Sequence, residues 1–279
     1  MADSIAVRAL STPEGAVGAG LVCLVALAGL AAGLFFPGDP LDMVARPLLA
    51  PFANPAFPLG TDRLGRDLAA GLVHGARASL AIGLSVAIVA LVVGAALGAL
   101  AGMFGGLIDE IIMRVADAIQ TVPAFLLALA IVATTGPSLL GVVIALAASA
   151  WTGPARVVRA EVLSLRERAF VDASKLSGRS TVAIAFSVVL PNALSTAIAL
   201  SAIIVAGALL SEAALAFLGL GDPNAASWGA MIAEGRAVIR TAPHVILLPG
   251  AALFVTVLAV SLVGEGLQKA LTGRRSEDT

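Results

Sequence analysis

Ser79–Gly102 reads SLAIGLSVAIVALVVGAALGALAG, an uninterrupted apolar run with no charged residue. A helix rises about 1.5 Å per residue and the hydrocarbon core of a bilayer is about 30 Å thick, so this run is long enough to cross it. The apolar residues lack the every-second-residue alternation of a barrel strand. In lipid, a helix also satisfies its backbone hydrogen bonds internally. Working outward, runs of the same character occupy about 17–36, 118–136, 138–154, 194–218 and 243–264. Gly136-Pro137 is a turn signal between the third and fourth runs and makes them an antiparallel hairpin. The expected fold is all-α: a polytopic membrane protein with six transmembrane helices.

Composition supports that class. Hydrophobic residues make up 59% of the chain and charged residues 13%, with a mean hydropathy of +1.02, far more apolar surface than a soluble interior of this size can hide. The first run has an alternative reading as a cleaved signal peptide, with Arg8 ahead of it and Ala31-Ala32-Gly33 near its end. Its length exceeds a typical signal core, and its removal would reverse the charge balance between the two sides.

That balance sets the orientation. With a cytoplasmic amino terminus, 11 Lys and Arg residues fall on the inner side and 6 on the outer side. The positive-inside rule therefore puts both termini and the 155–193 interval in the cytoplasm. The resulting segments are a cytoplasmic stretch 1–16, a first span 17–36, an extracytoplasmic loop 37–78, a core of five spans 79–264 and a cytoplasmic tail 265–279.

Several function classes are poorly served by this sequence. A net charge of −1 suggests no nucleic-acid partner. Cys23 is the single cysteine, so neither an internal disulfide nor a multi-cysteine metal site can form. With only His74 and His244, no zinc-hydrolase spacing or histidine-based catalytic set can be assembled locally, and a membrane enzyme lacks its cluster. Lys175 and Lys269 are the only lysines, and neither stands in a G-x-x-x-x-G-K-[ST] frame, so no cofactor or nucleotide site is expected in this chain. A channel or ion-coupled carrier working alone would place ionisable residues near the middle of its spans, which here are almost free of charge.

Individual residues leave readings open. Gly94, Gly98 and Gly102 form two overlapping G-x-x-x-G steps whose face packs closely against another helix, either of this chain or of a partner. Arg114 and Asp117 are spaced to pair on a helix. Glu212, in an apolar stretch, is either a pathway or gate residue or a structural carboxylate hydrogen-bonded near the outer interface, the second being favoured. The proline-rich loop 37–78 is either a lip that receives an extracytoplasmic partner or packing over the outer face, and Trp228 reads as an interfacial anchor.

Phe170–Pro191, FVDASKLSGRSTVAIAFSVVLP, is the polar and basic interval shaped to meet something in water. Ala173 to Leu176 is expected to form a short helix. Gly178 ends it at a left-handed position, and Pro191 opens the next membrane helix, where its missing N–H is not needed.

This pattern resembles the EAA motif of ABC importer permeases, with Asp172 in place of the usual Glu and Ser174 in place of the second Ala. Leu59-Gly60-Thr61-Asp62-Arg63-Leu64-Gly65-Arg66-Asp67 and Gly75-Ala76-Arg77-Ala78-Ser79-Leu80 resemble the LGTDxxGRD and GARxSL signatures of the second permease of peptide and nickel importers. Glu212-Ala213, Phe217-Leu218-Gly219-Leu220-Gly221, Ser227-Trp228-Gly229 and Leu248-Pro249-Gly250 follow in the family's order.

The resemblance implies a type I importer permease fold in the bacterial cytoplasmic membrane. It pairs with a second homologous permease, with two ATPase subunits carrying ATP and Mg, with an extracytoplasmic solute-binding protein, and with lipid. It further implies ATPase coupling through Phe170, Asp172, Ala173, Ser174, Gly178, Leu190 and Pro191. Di- or oligopeptides are the expected cargo, with nickel or a chelated metal as the alternative.

Overall fold

The computed structural model describes residues 2–168, 171, 177–180, 184, 187 and 189–277. Helix α1 (Ala2–Ser11) leads to α2 (Pro13–Leu30), where the Thr12 hydroxyl accepts the Gly15 N–H at 3.1 Å and Pro13 occupies the first turn. After the short α3 (Ala32–Phe35) the chain is non-helical until α4 (Leu68–Phe104). There follow α5 (Gly106–Thr121), α6 (Ala124–Thr135), α7 (Leu139–Ala150), α8 (Thr152–Leu165), α9 (Leu190–Phe217), α10 (Trp228–Gly235) and α11 (His244–Glu277). No strand occurs among the described residues.

Among the described residues, five helical stretches are long and apolar enough to cross a membrane: Pro13–Leu30, Leu68–Phe104, Leu139–Leu165, Thr196–Phe217 and His244–Leu271. The run expected over 118–136 differs. Its first residues belong to α5, which meets α6 at 86°, so a sixth crossing exists only if that bent pair is one broken span. Val122 is extended at φ −92°, ψ 128°, because the ring of Pro123 closes the α region to the residue before it.

Two helix bounds also shift. α4 begins eleven residues before Ser79, because the Asp67 carboxylate accepts the Ala69 N–H at 2.8 Å and caps it there. The fourth span continues as helix through Trp151 to Leu165, so the interval from 155 opens on a helix.

The helices are held by unusually small contacts. A Cβ on Gly94 would come within 2.6 Å of the Trp151 carbonyl oxygen, one on Gly98 would collide with that of Ala155, and one on Gly102 would meet Val162 at 2.7 Å. The glycine face of α4 therefore seats α8 of the same chain backbone to backbone, which decides the reading the sequence left open. The bidentate pair Arg159–Asp109, the Arg156–Asp117 pair at 2.5 Å and the bond from Gln120 to the Thr152 hydroxyl at 2.7 Å then run along α5 and α8 in opposite chain directions. The expected Arg114–Asp117 pair does not form. Arg114 binds Glu110 one turn back at 2.6 Å, leaving Asp117 to Arg156.

Candidate functional site

The two ends of α9 carry the residues of interest. At its amino-terminal end, Pro191 lies in the first turn beside Leu190. Phe170, Asp172, Ala173 and Ser174 lie outside the described residues. The neighbouring positions that are described divide sharply. Val171, Ile184 and Val189 are buried against Ala95 and Ala99 of α4, Val158, Val162 and Leu165 of α8, and Ala193 and Ala197 of α9. Ser177, Gly178, Arg179 and Ser180 are exposed.

Gly178 sits at φ +77°, and among the described residues none stands within 4 Å of where its Cβ would be. Only the backbone conformation demands glycine there. The described part of the segment thus presents a turn to solvent while Val171, Ile184 and Val189 are fixed to three helices. Arg166 adds to the anchorage by donating to the Gly102 carbonyl at 3.0 Å, at the end of α4 where helix carbonyls lack partners.

At the far end of α9, residues from distant motifs converge. Glu212 is 3% exposed, and its Oε1 accepts the Ser227 hydroxyl at 2.7 Å. That same Ser227 oxygen accepts the Ala230 N–H at 3.1 Å and so caps α10. Glu212 Oε2 lies against Gly229, where a Cβ would approach it to 2.7 Å.

Trp228 is 2% exposed. Its backbone N–H donates to the Ser79 hydroxyl at 3.2 Å and its Nε1–H to the Leu72 carbonyl at 2.9 Å, while a Cβ on Gly75 would meet its ring at 2.9 Å. Trp228 is therefore a core residue rather than an interfacial anchor. The glycine and serine of the GARxSL stretch are the socket for the tryptophan of the Ser-Trp-Gly stretch.

The LGTD stretch has a comparable role. Thr61 is fully buried, donates to the Arg46 carbonyl at 2.7 Å and accepts the Leu49 N–H at 2.9 Å. Asp62 Oδ1 accepts the N–H groups of Leu64 and Arg66, both at 2.8 Å. Arg66 then reaches Glu234 of α10 at 3.0 Å. Burial pushes the Glu234 carboxyl above its ordinary value; the Arg66 charge opposes this and nearby Asp62 adds to it.

Sequence reasoning missed the Arg66–Glu234 link and the α5–α8 charge ladder. The second had a signal: Asp109 and Asp117 recur at helical spacing, and so do Arg156 and Arg159. The first had none, because 168 residues separate the partners.

An all-helical chain with five to six candidate spans among the described residues has the form of a polytopic membrane component. Residues 94–277 match the model of the binding-protein-dependent transport system inner membrane component. The chain belongs to that family of ABC transporter permeases, which are membrane components rather than enzymes.

It is 41% identical over 265 residues to the di/tripeptide transport system permease protein DppC of Pseudomonas aeruginosa, covering 92% of this chain and 88% of that protein. It is 42% identical over 254 residues to the probable peptide ABC transporter permease protein y4tQ of Sinorhizobium fredii, covering 90% and 86% respectively. To the glutathione transport system permease protein GsiD of Salmonella typhimurium it is 43% identical over 213 residues, covering 76% and 70%.

Proposed function

We propose that this chain is one of two membrane subunits of an ATP-driven importer of short peptides, the second being a homologous permease. Two ATPase subunits dock on the cytoplasmic side, where both termini lie, and a solute-binding protein delivers cargo from the other. The observation that carries the reading is the likeness to the di/tripeptide permease across nearly the whole of both chains. The peptide and glutathione permeases among its relatives narrow the cargo class, since glutathione is itself a small peptide-like molecule.

The turn at Gly178 is the contact for the ATPases, with Phe170, Asp172, Ala173 and Ser174 preceding it. Closure of the ATPase dimer pushes this segment, and Leu190 and Pro191 pass the displacement into α9. That helix has 28 residues and spans about 42 Å, enough to carry the motion across the membrane as a rigid rod. At its far end Glu212 holds Ser227, so α10 moves with the rod. Glu212 thereby serves as the structural carboxylate that ties α10 to α9.

Replacing Gly178 with Val strains the left-handed turn at φ +77°. Reconstituted with its partners, Gly178→Val is expected to insert normally and to hydrolyse ATP with peptide uptake reduced at least tenfold. Uptake per ATP equal to wild type would refute the coupling role.

A further inference from the structure

Beside α10, on the face away from Trp228, lies a recess of about 500 Å³. This is within the range of about 300–1,000 Å³ typical of small-molecule sites. The end of α9 at Phe217–Gly219, the turn at Asp222, and residues 230–237 form its walls, and Arg63 of the loop before α4 closes one side.

Both charge signs line it. Arg63 and Arg236 are exposed, and neither forms a salt bridge among the described residues. Arg236 is held in place with its guanidinium 4.8 Å over the Phe217 ring. The carboxylates of Asp222 and Glu234 line it too, the second already paired with Arg66 at 3.0 Å. Asp222 is rigid, because its two oxygens accept the N–H groups of Leu139 and Asn224, each at 2.9 Å.

A concave site lined by two arginines outside any described salt bridge and by the fixed carboxylate of Asp222 matches a ligand that carries a carboxylate and an ammonium a few ångströms apart. A dipeptide has this form, with termini about 7 Å apart when extended. We propose that this recess is a transient subsite for the zwitterionic backbone of a short peptide. Arg63 and Arg236 take its terminal carboxylate, and Asp222 takes its terminal ammonium. The proposal rests on the peptide reading above and assigns that cargo a specific place in this chain.

The test measures equilibrium dialysis of radiolabelled alanyl-alanine against the full membrane complex in lipid nanodiscs, without the solute-binding protein. Saturable binding is expected. It should weaken about tenfold for the carboxyl-terminal amide, for the amino-terminal acetyl form, and in the Arg63→Gln/Arg236→Gln variant against the free dipeptide. The Arg63→Lys/Arg236→Lys variant should restore most of it. Equal binding of the free and amidated dipeptides, or wild-type binding by the glutamine variant, overturns the subsite. Uptake of the same dipeptide by the complete importer in proteoliposomes separates the two claims. Uptake without discrimination between termini in the binding assay removes the subsite alone, and absence of uptake removes the peptide reading with it.

Discussion

Gly98→Ala adds one methyl group at the tightest point of the seam between α4 and α8. Two effects compete. Replacing a helical glycine with alanine contributes about 1 kcal/mol of helix propensity. Against this, the new Cβ would lie inside van der Waals contact of the Ala155 carbonyl oxygen, with the Ala155 carbonyl carbon at 3.0 Å and its Cα at 3.1 Å. All three are backbone atoms of α8 and no side chain can turn aside, so the helices must part by about 0.5–1 Å. A gap of that size forfeits about a quarter to a half of the dispersion well for every atom pair along the seam.

The seam includes Ala95, Ala99, Val158 and Val162 and no side chain can yield, so the loss falls in the upper half of the range of about 1–3 kcal/mol found for overpacked cores. The net expectation is destabilisation by about 1–2 kcal/mol. Gly207→Ala is the control: that glycine is helical and exposed with nothing near its Cβ position, so only the propensity gain applies. The assay is unfolding of the purified chain by SDS in mixed micelles, followed by circular dichroism. If Gly98→Ala proves as stable as Gly207→Ala, the backbone-to-backbone packing of α4 on α8 is wrong.

Arg159→Gln breaks a bidentate pair that is only partly desolvated, with side chains 33% and 18% exposed, so about 1–2 kcal/mol is expected rather than the larger loss of a fully buried pair. In the same unfolding assay, adding Asp109→Asn should cost little more, and fully additive losses would show that the two groups do not interact. Trp228→Phe removes the bond to Leu72 and part of the packing in the Gly75 socket, with about 1–2 kcal/mol lost and a lower melting temperature. A melting temperature equal to wild type would return Trp228 to the role of a surface anchor. Glu234 supplies a pH dependence. An acid with a raised folded-state pKa weakens the fold while ionised, so its cost is present above that value and is relieved as pH falls through it. Wild type should therefore gain thermal stability relative to Glu234→Gln on acidification from neutral toward the ordinary carboxylate range, and a constant difference across that range would contradict the assignment.

The membrane class and the approximate place of five spans were legible because hydropathy is a local property that packing does not override. Helix ends were less so. The start of α4 turns on the Asp67 cap, and His74 and Arg77 made that stretch resemble loop although its residues favour helix. The break at Val122 was written in Pro123, but continuity of the apolar run concealed it. Residues that recur in the motifs were recognisable as motifs, yet their work was hidden. Gly75, Ser79, Glu212, Ser227, Trp228 and Gly229 form one cluster that exists only once α4, α9 and α10 are side by side. Gly178 is the exception: its left-handed turn was readable directly, since the requirement for glycine there is set by its own backbone.

The decisive experiment is crosslinking from the exposed turn. Arg179→Cys in a Cys23→Ser background leaves one thiol, placed beside Gly178 on the solvent side. A maleimide–benzophenone attached to this thiol and photoactivated in the assembled importer in inverted membrane vesicles, where it inserts into any C–H bond within reach, is expected to join this residue to an ATPase subunit, with a yield that changes when ATP is added. Thiol labelling from the extracytoplasmic side only, or crosslinks that never include an ATPase subunit, would contradict the placement of the lever and the transport mechanism built on it.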